Sequence, residues 1–358
     1  MTPGIPTGLQ PPTRQAAGTV FWLLIAINFL NYLDRIIFVA IGPELKVAFH
    51  MNDGQVGLTG SAFLFIYTIS ALPLGVLADR GSRTKVIAFG VMLWSLATWY
   101  TAIAHTFVEL FLGRAALGIG EASYIPAGTA LIAAYFAPQV RARVMSNWGA
   151  STLVGTAAGF VAGGIIAQQI GWRWAFVICG VPGLLLAALM WRIPERRAYD
   201  QADAQAGSQE MLASIAGVTD QGVTQRTWQT DLRLILRQMR AILRSPTARL
   251  TIILQALALF VTTPAIIFIP IYLKEHFHLD VQTTALLAGG VLIPGGVLGA
   301  VLGGVVADRL SRRFAGGRML AAAIGYACAL PCLVVALLLS NLILMLPVAF
   351  LATAFQYV

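Results

Sequence analysis

The chain has 358 residues, 58% of them hydrophobic and 11% charged, with a formal net charge of +9 and a mean hydropathy of +0.77. That balance excludes a soluble globular domain and names the bilayer as the solvent. The positive charge does not mark a nucleic-acid binder, because nearly all of it falls in alternate loops between apolar runs.

Residues 1–19 are polar and Pro-containing without a cleavable pattern, so they are expected to form a cytoplasmic tail before an uncleaved first span. Runs of about 20 apolar residues, the length of helix that crosses the hydrocarbon, then follow. The predicted spans are Val20 to Ile41, Val56 to Leu77, Val86 to Ala104, Phe107 to Ala133, Ser146 to Ala167 and Trp174 to Ile193. After a polar segment come Leu250 to Leu273, Thr284 to Val306, Met319 to Leu339 and Leu342 to Val358. The runs are long and unbroken, which suits helices and not the alternating strands of a barrel. The expected fold class is therefore all-α and integral to the membrane. Its expected parts are a six-helix bundle over 20–193, a cytoplasmic linker over 194–249 and a four-span C-terminal part over 250–358.

Nineteen of the 24 basic residues lie in the tail, the linker and the loops around Arg80, Arg141 and Arg309. Only Lys46, Arg173 and Lys274 lie in the opposite loops. By the positive-inside rule the N-terminus and linker are cytoplasmic, in a plasma or bacterial inner membrane. The linker stretch "WQTDLRLILRQMRAILRS" places apolar residues at helical spacing with arginines on another face, an expected amphipathic helix on anionic lipid.

An internal repeat joins the halves. "GVLADRGSR", from Gly75, returns as "GVVADRLSR", from Gly304. Each copy closes the second span of its half, so Asp79, Arg80 and Arg83 match Asp308, Arg309 and Arg312. Repeated bundles with a site between them are how secondary transporters are built. These copies resemble the loop motif of the major facilitator superfamily, with Ser82 and Ser311 where that pattern has its second glycine. "RAALGIG", from Arg114, resembles the superfamily's fourth-span pattern. "NYLDR", "GRAALGIGEASYIPAGTALIAAYF" and "GWRWAFVICGVPGLLLAAL" resemble the Spinster-like branch, over about the first 195 residues. The resemblance implies a two-bundle transporter fold, alternating access, movement of lysolipids or sphingoid lipids, and a gating role for both loop motifs. The superfamily has twelve spans, so this chain is expected to be C-terminally short.

Ionisable residues inside spans are costly, about 2.5 to 3.5 kcal/mol each on insertion scales, and default to functional candidates. Four stand here, all in the first half: Asp34, Arg35, Arg114 and Glu121. The rise per residue puts Asp34 and Arg114 at one level, roughly 10 Å below the outer surface, with Glu121 about 10 Å deeper. Adjacent residues on a helix do not face each other, so Asp34 is expected to pair with Arg114 across helices. Asn28, Asn31, Tyr32 and Arg35 form a stripe expected to face the cavity. Phe260, Phe268, Tyr272, Gln255 and Tyr326 are expected on its apolar wall.

The resulting expectation is a proton-coupled secondary transporter of a lysolipid-like anion. Asp34 and Glu121 would carry the proton; Arg35 and Arg114, with Asn31, Tyr32 and Tyr124, would bind substrate. The resemblance implies the same roles at the Asp-Arg, Arg and Glu positions. Two other readings stay open: a symporter of small organic anions, which "NYLDR" also resembles, and a non-transporting receptor or scaffold. "GTAAGFVAGG", from Gly155, resembles the superfamily's antiporter motif with Phe160 where that motif has proline.

No enzyme constellation is expected. His276 and His278 read as a solvated loop, and Cys179, Cys328 and Cys332 as packing residues. No cofactor, metal or nucleic acid is expected. The expected partners are substrate, protons and lipid, around a monomer.

Overall fold

A computed structural model of the chain describes residues 13–194, 240, 243–314 and 316–357. The expected amphipathic helix of the linker falls almost wholly outside these residues. Among the described residues all regular structure is helical. The helices are α1 (Arg14–Ala40), α2 (Gly42–Ala48), α3 (Asp53–Arg80), α4 (Arg83–Ile103), α5 (Phe107–Ala122) and α6 (Tyr124–Tyr135). They continue as α7 (Pro138–Ile170), α8 (Trp172–Trp191), α9 (Pro246–Phe277), α10 (Val281–Ser311), α11 (Gly317–Leu338) and α12 (Leu342–Gln356). Seven helices among the described residues, α1, α3, α4, α7, α8, α10 and α11, are long and apolar enough to cross a membrane.

The helices start where the side chains satisfy the free N–H groups of a first turn. Asn52 and Gln55 close a reciprocal capping box on α3, with bonds of 2.8 and 3.0 Å. Thr106 and Glu109 do the same for α5, and the Asp280 carboxylate accepts from the Thr283 N–H at 2.9 Å to cap α10.

The expected fourth span is not one helix. It breaks at Ser123 into α5 and α6. Pro126 has no N–H to give the Ala122 carbonyl, and Ser123 Oγ turns back to Gly120 O at 2.8 Å. A second element absent from the sequence reading is α2, a short helix in what reads as a loop, started by Pro43 near its N-terminus.

The chain divides into two compact units. One holds Pro12–Glu195 with Ile267–Val358; the other holds Met1–Pro11 with Arg196–Ile266. Within the larger unit, α1 lies on α7 and α8, α4 on α8 and α5, α3 on α5, and α7 also on α10. α10, α11 and α12 pack on one another. Of the smaller unit, the described part is chiefly the first turns of α9, where Leu250, Ile253 and Phe260 are exposed.

α7 has two packing faces. Methyl groups added at Gly155 and Gly159 would stand 2.4 Å from Phe29 O and 2.8 Å from Ile36 Cβ, so α1 touches the backbone of α7 directly. On another face, a Cβ at Gly164 would lie 2.7 Å from Ala285 Cβ. There the Phe160 side chain fills the space over Gly289, whose added Cβ would lie 2.9 Å from it. The residue that replaces the motif proline is thus a buried knob between α7 and α10.

Two apolar clusters result. One gathers Val20 to Ile27 of α1 with Ile87, Val91, Trp94, Leu117 and Tyr124. The other gathers Leu30 to Ile41 with Leu45, Leu110, Phe176, Cys179 and Ile271. Asn31, Asp34 and Arg35 sit on α1 among the residues of the second cluster.

Candidate functional site

The four span charges come together from α1 and α5, with a different pairing from the expected one. Arg35 Nε donates to Glu121 Oε2 in an ion pair. Asp34 accepts instead from Thr98 of α4, whose Oγ1 donates to Oδ2 at 2.6 Å. Among the described residues no ion pair joins Asp34 to Arg114. The reason lies in the helix itself: neighbours on α1 diverge by about a quarter turn, so Arg35 reaches α5 while Asp34 reaches α4.

All four groups are withdrawn from solvent. Asp34 is 1% exposed, Arg114 4% and Glu121 0%; the Arg35 side chain keeps 22%. Arg114 meets aromatic faces in place of a carboxylate. Its guanidinium lies 4.1 Å from the Phe38 ring centroid and 5.0 Å from that of Phe63. Arg35 lies 5.0 Å from the same Phe63 ring, 5.1 Å from Tyr67 and 5.2 Å from Tyr32. Phe63 thus lies 5.0 Å from each of the two guanidiniums.

Hydrogen-bonding capacity is left over in this cluster. Asp34 Oδ1, Glu121 Oε1, Arg114 Nε and both amide atoms of Asn31 are buried without a hydrogen-bond partner. Buried polar groups are nearly always paired, so these atoms on α1 and α5 keep donors and acceptors to spare.

The other candidates divide. Tyr32 stays beside Arg35. Asn28, expected in the cavity stripe, is turned to α7, where its amide donates to Trp148 O, Ser151 Oγ and Thr152 Oγ1 at 2.8 to 2.9 Å. Tyr124 is fully buried, donates to Leu24 O and accepts from Trp148 Nε1, each at 2.6 Å. It ties α6 to α1 and α7. Of the expected apolar wall, Tyr272 donates to Leu337 O at 2.9 Å, Phe268 lies against Gly57, and Phe260 is exposed.

The loop motifs end α3 and α10 as the repeat requires. Gly75 faces Pro126, with 3.8 Å left to an added methyl, whereas Gly304 faces open space. Asp79 is exposed, and Arg80 and Arg83 are half-buried. In the second copy, Asp308, Arg309 and Arg312 are exposed, and Asp308 meets Arg318 at 3.9 Å. The two serines differ in use: Ser82 caps α4 by accepting from Lys85 N at 3.3 Å, while Ser311 donates back to Ala307 O at 2.7 Å.

Four contributors were not singled out in the sequence: Phe38, Phe63, Tyr67 and Thr98. Phe63 and Tyr67 are spaced i, i+4, a weak signal in an apolar helix. Thr98 carries none beyond being polar. Among the described residues no group of His, Cys, Asp and Glu could hold a metal ion.

The Major Facilitator Superfamily model matches residues 24–358. Protein spinster homolog 1 of Xenopus tropicalis is 27% identical over 351 residues, which is 93% of this chain and 62% of that protein. Protein spinster of Drosophila melanogaster is 26% identical over 347 residues, 95% of this chain and 54% of its own length. The chain thus spans between half and two thirds of these relatives. Among solved structures, a bacterial homologue of the human lysosomal transporter Spinster, inward-facing and unoccupied, matches with a TM-score of 0.77. It has 24% identity, over 97% of this chain and 74% of that one.

Proposed function

Since the chain belongs to the Major Facilitator Superfamily, we propose that it is a proton-coupled transporter that moves a lysolipid-like anion by alternating access. The single observation that carries this reading is the uneven pairing of the four buried charges. Two carboxyls and two guanidiniums balance in number, yet only Arg35 and Glu121 form an ion pair. Arg114, held by aromatic faces and with Nε free, is the cation available to an anionic head group. Arg35 serves first as the counter-ion of Glu121.

Coupling follows from electroneutrality. Adding one anion to a balanced, desolvated cluster leaves one unit of negative charge in a low dielectric. A proton on Asp34 or Glu121 restores the balance, and both keep an unpartnered oxygen for it. Asn31 and Tyr32, beside Arg35 on α1, complete the polar wall, and Phe63 and Tyr67 offer surfaces to a hydrocarbon chain. Asp79, Arg80 and Arg83, with their repeats at Asp308, Arg309 and Arg312, form the gating loops of the basic face. That face is cytoplasmic in this reading, and the protein works in a plasma membrane as a monomer.

The likeness to spinster proteins supports a transporter, and their names specify no cargo; the class of cargo rests on the charges and aromatic surfaces of the cluster. Flux of radiolabelled lysophospholipid into proteoliposomes under an imposed pH gradient is the test. Uptake that follows the gradient in the wild type and loses it in Asp34→Asn supports the reading. A D34N variant with unchanged gradient-driven uptake removes the coupling role, and competition by small organic acids but not lysolipids reassigns the substrate.

A further inference from the structure

We infer that Thr98 is the positioning residue of the proton site: its hydroxyl holds Asp34 Oδ2 in a neutral contact and leaves Oδ1 as the oxygen that accepts the proton. The inference rests on the reading that Asp34 carries the coupling proton.

The geometry sets Thr98 apart from its neighbours. A threonine inside a helix ordinarily donates to the carbonyl one turn back, as Thr101 does to Ala97 O at 2.9 Å. Thr98 instead donates across the interface to α1 at 2.6 Å. A hydroxyl has one proton to give, and this one is committed to the carboxylate. Thr98 is buried, 1% exposed.

The identity of the partner matters as much as its presence. An arginine paired to a buried carboxyl pins it in the charged state, because separating the pair leaves an uncompensated charge. Glu121 is in that position with Arg35. A neutral hydroxyl imposes no such lock, since it can donate to a carboxylate and accept from a carboxylic acid. Of the two acids, Asp34 is therefore the one arranged to change its protonation. The charged and titratable groups around it are Arg35 on its own helix, Arg114 and Glu121 of α5, and Cys179 of α8. α7 presents Gly155, Gly159 and Gly163 to this part of α1.

The test compares three variants in proteoliposomes, with lysophospholipid uptake measured across a range of pH. Thr98→Val keeps the shape and removes the donor; it is expected to displace the pH midpoint of uptake by about one unit, the size of one hydrogen bond to a charged group. Thr98→Ser keeps the donor and is expected to retain the wild-type midpoint. Should the valine variant fail to insert or fold, Thr98→Ala carries the same comparison. If the donor-lacking variant has the wild-type pH profile while Asp34→Asn abolishes coupling, the role of Thr98 is overturned and that of Asp34 stands. If Thr98→Ser shifts the profile as far as the donor-lacking variant does, packing and not the hydroxyl is responsible, and the inference again fails. Gradient-driven uptake that survives in D34N overturns the underlying reading instead.

Discussion

Glu44 and Lys274, 230 positions apart in the chain, form an ion pair between α2 and the end of α9. One residue along α9, Glu275 meets Lys46 of α2 at 2.5 Å, and Lys46 also contacts Asp53 at 2.6 Å. Acid and base thus alternate on one helix and answer in reverse order on the other. Burial works against the Lys46 charge, but Asp53 and Glu275 outweigh it and hold its ammonium above the ordinary lysine range. Such partly exposed pairs are worth about 0.2 to 1 kcal/mol each. Lys274→Glu is expected to destabilise the protein by about that amount, Glu44→Lys with Lys274→Glu to recover it, and 1 M salt to erase the difference. Thermal unfolding in detergent measures all three.

The two buried arginines should answer differently to neutral replacement. Arg35→Met strips Glu121 of its counter-ion, and breaking a buried pair costs about 3 to 5 kcal/mol. Among the described residues Arg114 forms no ion pair, so Arg114→Met is expected to cost less stability than Arg35→Met while binding of an anionic lysolipid is lost. Thermal stability and ligand binding on the same two samples check this. A loss of stability in the Arg114 variant as large as in the Arg35 variant rejects the division of roles.

Phe160 provides a packing prediction. Phe160→Ala opens a cavity between α7 and α10 over Gly289 and is expected to cost about 3 to 5 kcal/mol. Phe160→Pro, which places the residue of the antiporter motif there, also removes a helix hydrogen bond and sets its ring against the carbonyl one turn back, which together cost about 3 kcal/mol or more. It is expected to be the less stable of the two. Denaturation in mild detergent ranks them.

At the start of α10 the Thr283 hydroxyl and N–H both donate to the Asp280 carboxylate, and they hold it below the ordinary value of 3.8. A group lowered on folding contributes stability that is complete above its unfolded value and disappears as pH falls through the folded one. Asp280→Ala is therefore expected to cost about 1 kcal/mol at neutral pH, with the gap to wild type closing as pH drops below about 4. Melting curves from pH 7 to pH 3 show whether it does.

The helices and their chemistry are readable from the chain because the bilayer demands long apolar runs and makes Asp34, Arg35, Arg114 and Glu121 conspicuous. Partners are harder to read. Periodicity says that Asp34 and Arg35 diverge but not which neighbour each one meets, since the rotation of α1 against α4 and α5 depends on packing along all three. Hence the expected Asp34 and Arg114 pair gave way to Thr98 and to Phe38 with Phe63. Asn28 looked like a cavity residue for the same reason, as glue to α7 and a polar cavity wall have one sequence pattern. The break at Ser123 had a visible cause in Pro126, hidden by hydropathy that runs smoothly across it. Lys46 and Lys274 read as loop charges because their pairing with Glu275 and Glu44 exists only once α2 and α9 are side by side.

The bare backbone contact between α1 and α7 bears on how any collection of variants of this protein is interpreted. At Gly155 and Gly159 even one added carbon collides with α1, so substitutions there are expected to lower the amount of folded protein, and with it any signal that an uptake assay reads. A screen that records growth or flux alone will rank them beside Asp34, and only a parallel measurement of how much folded protein reaches the membrane will separate the hinge pin from the engine.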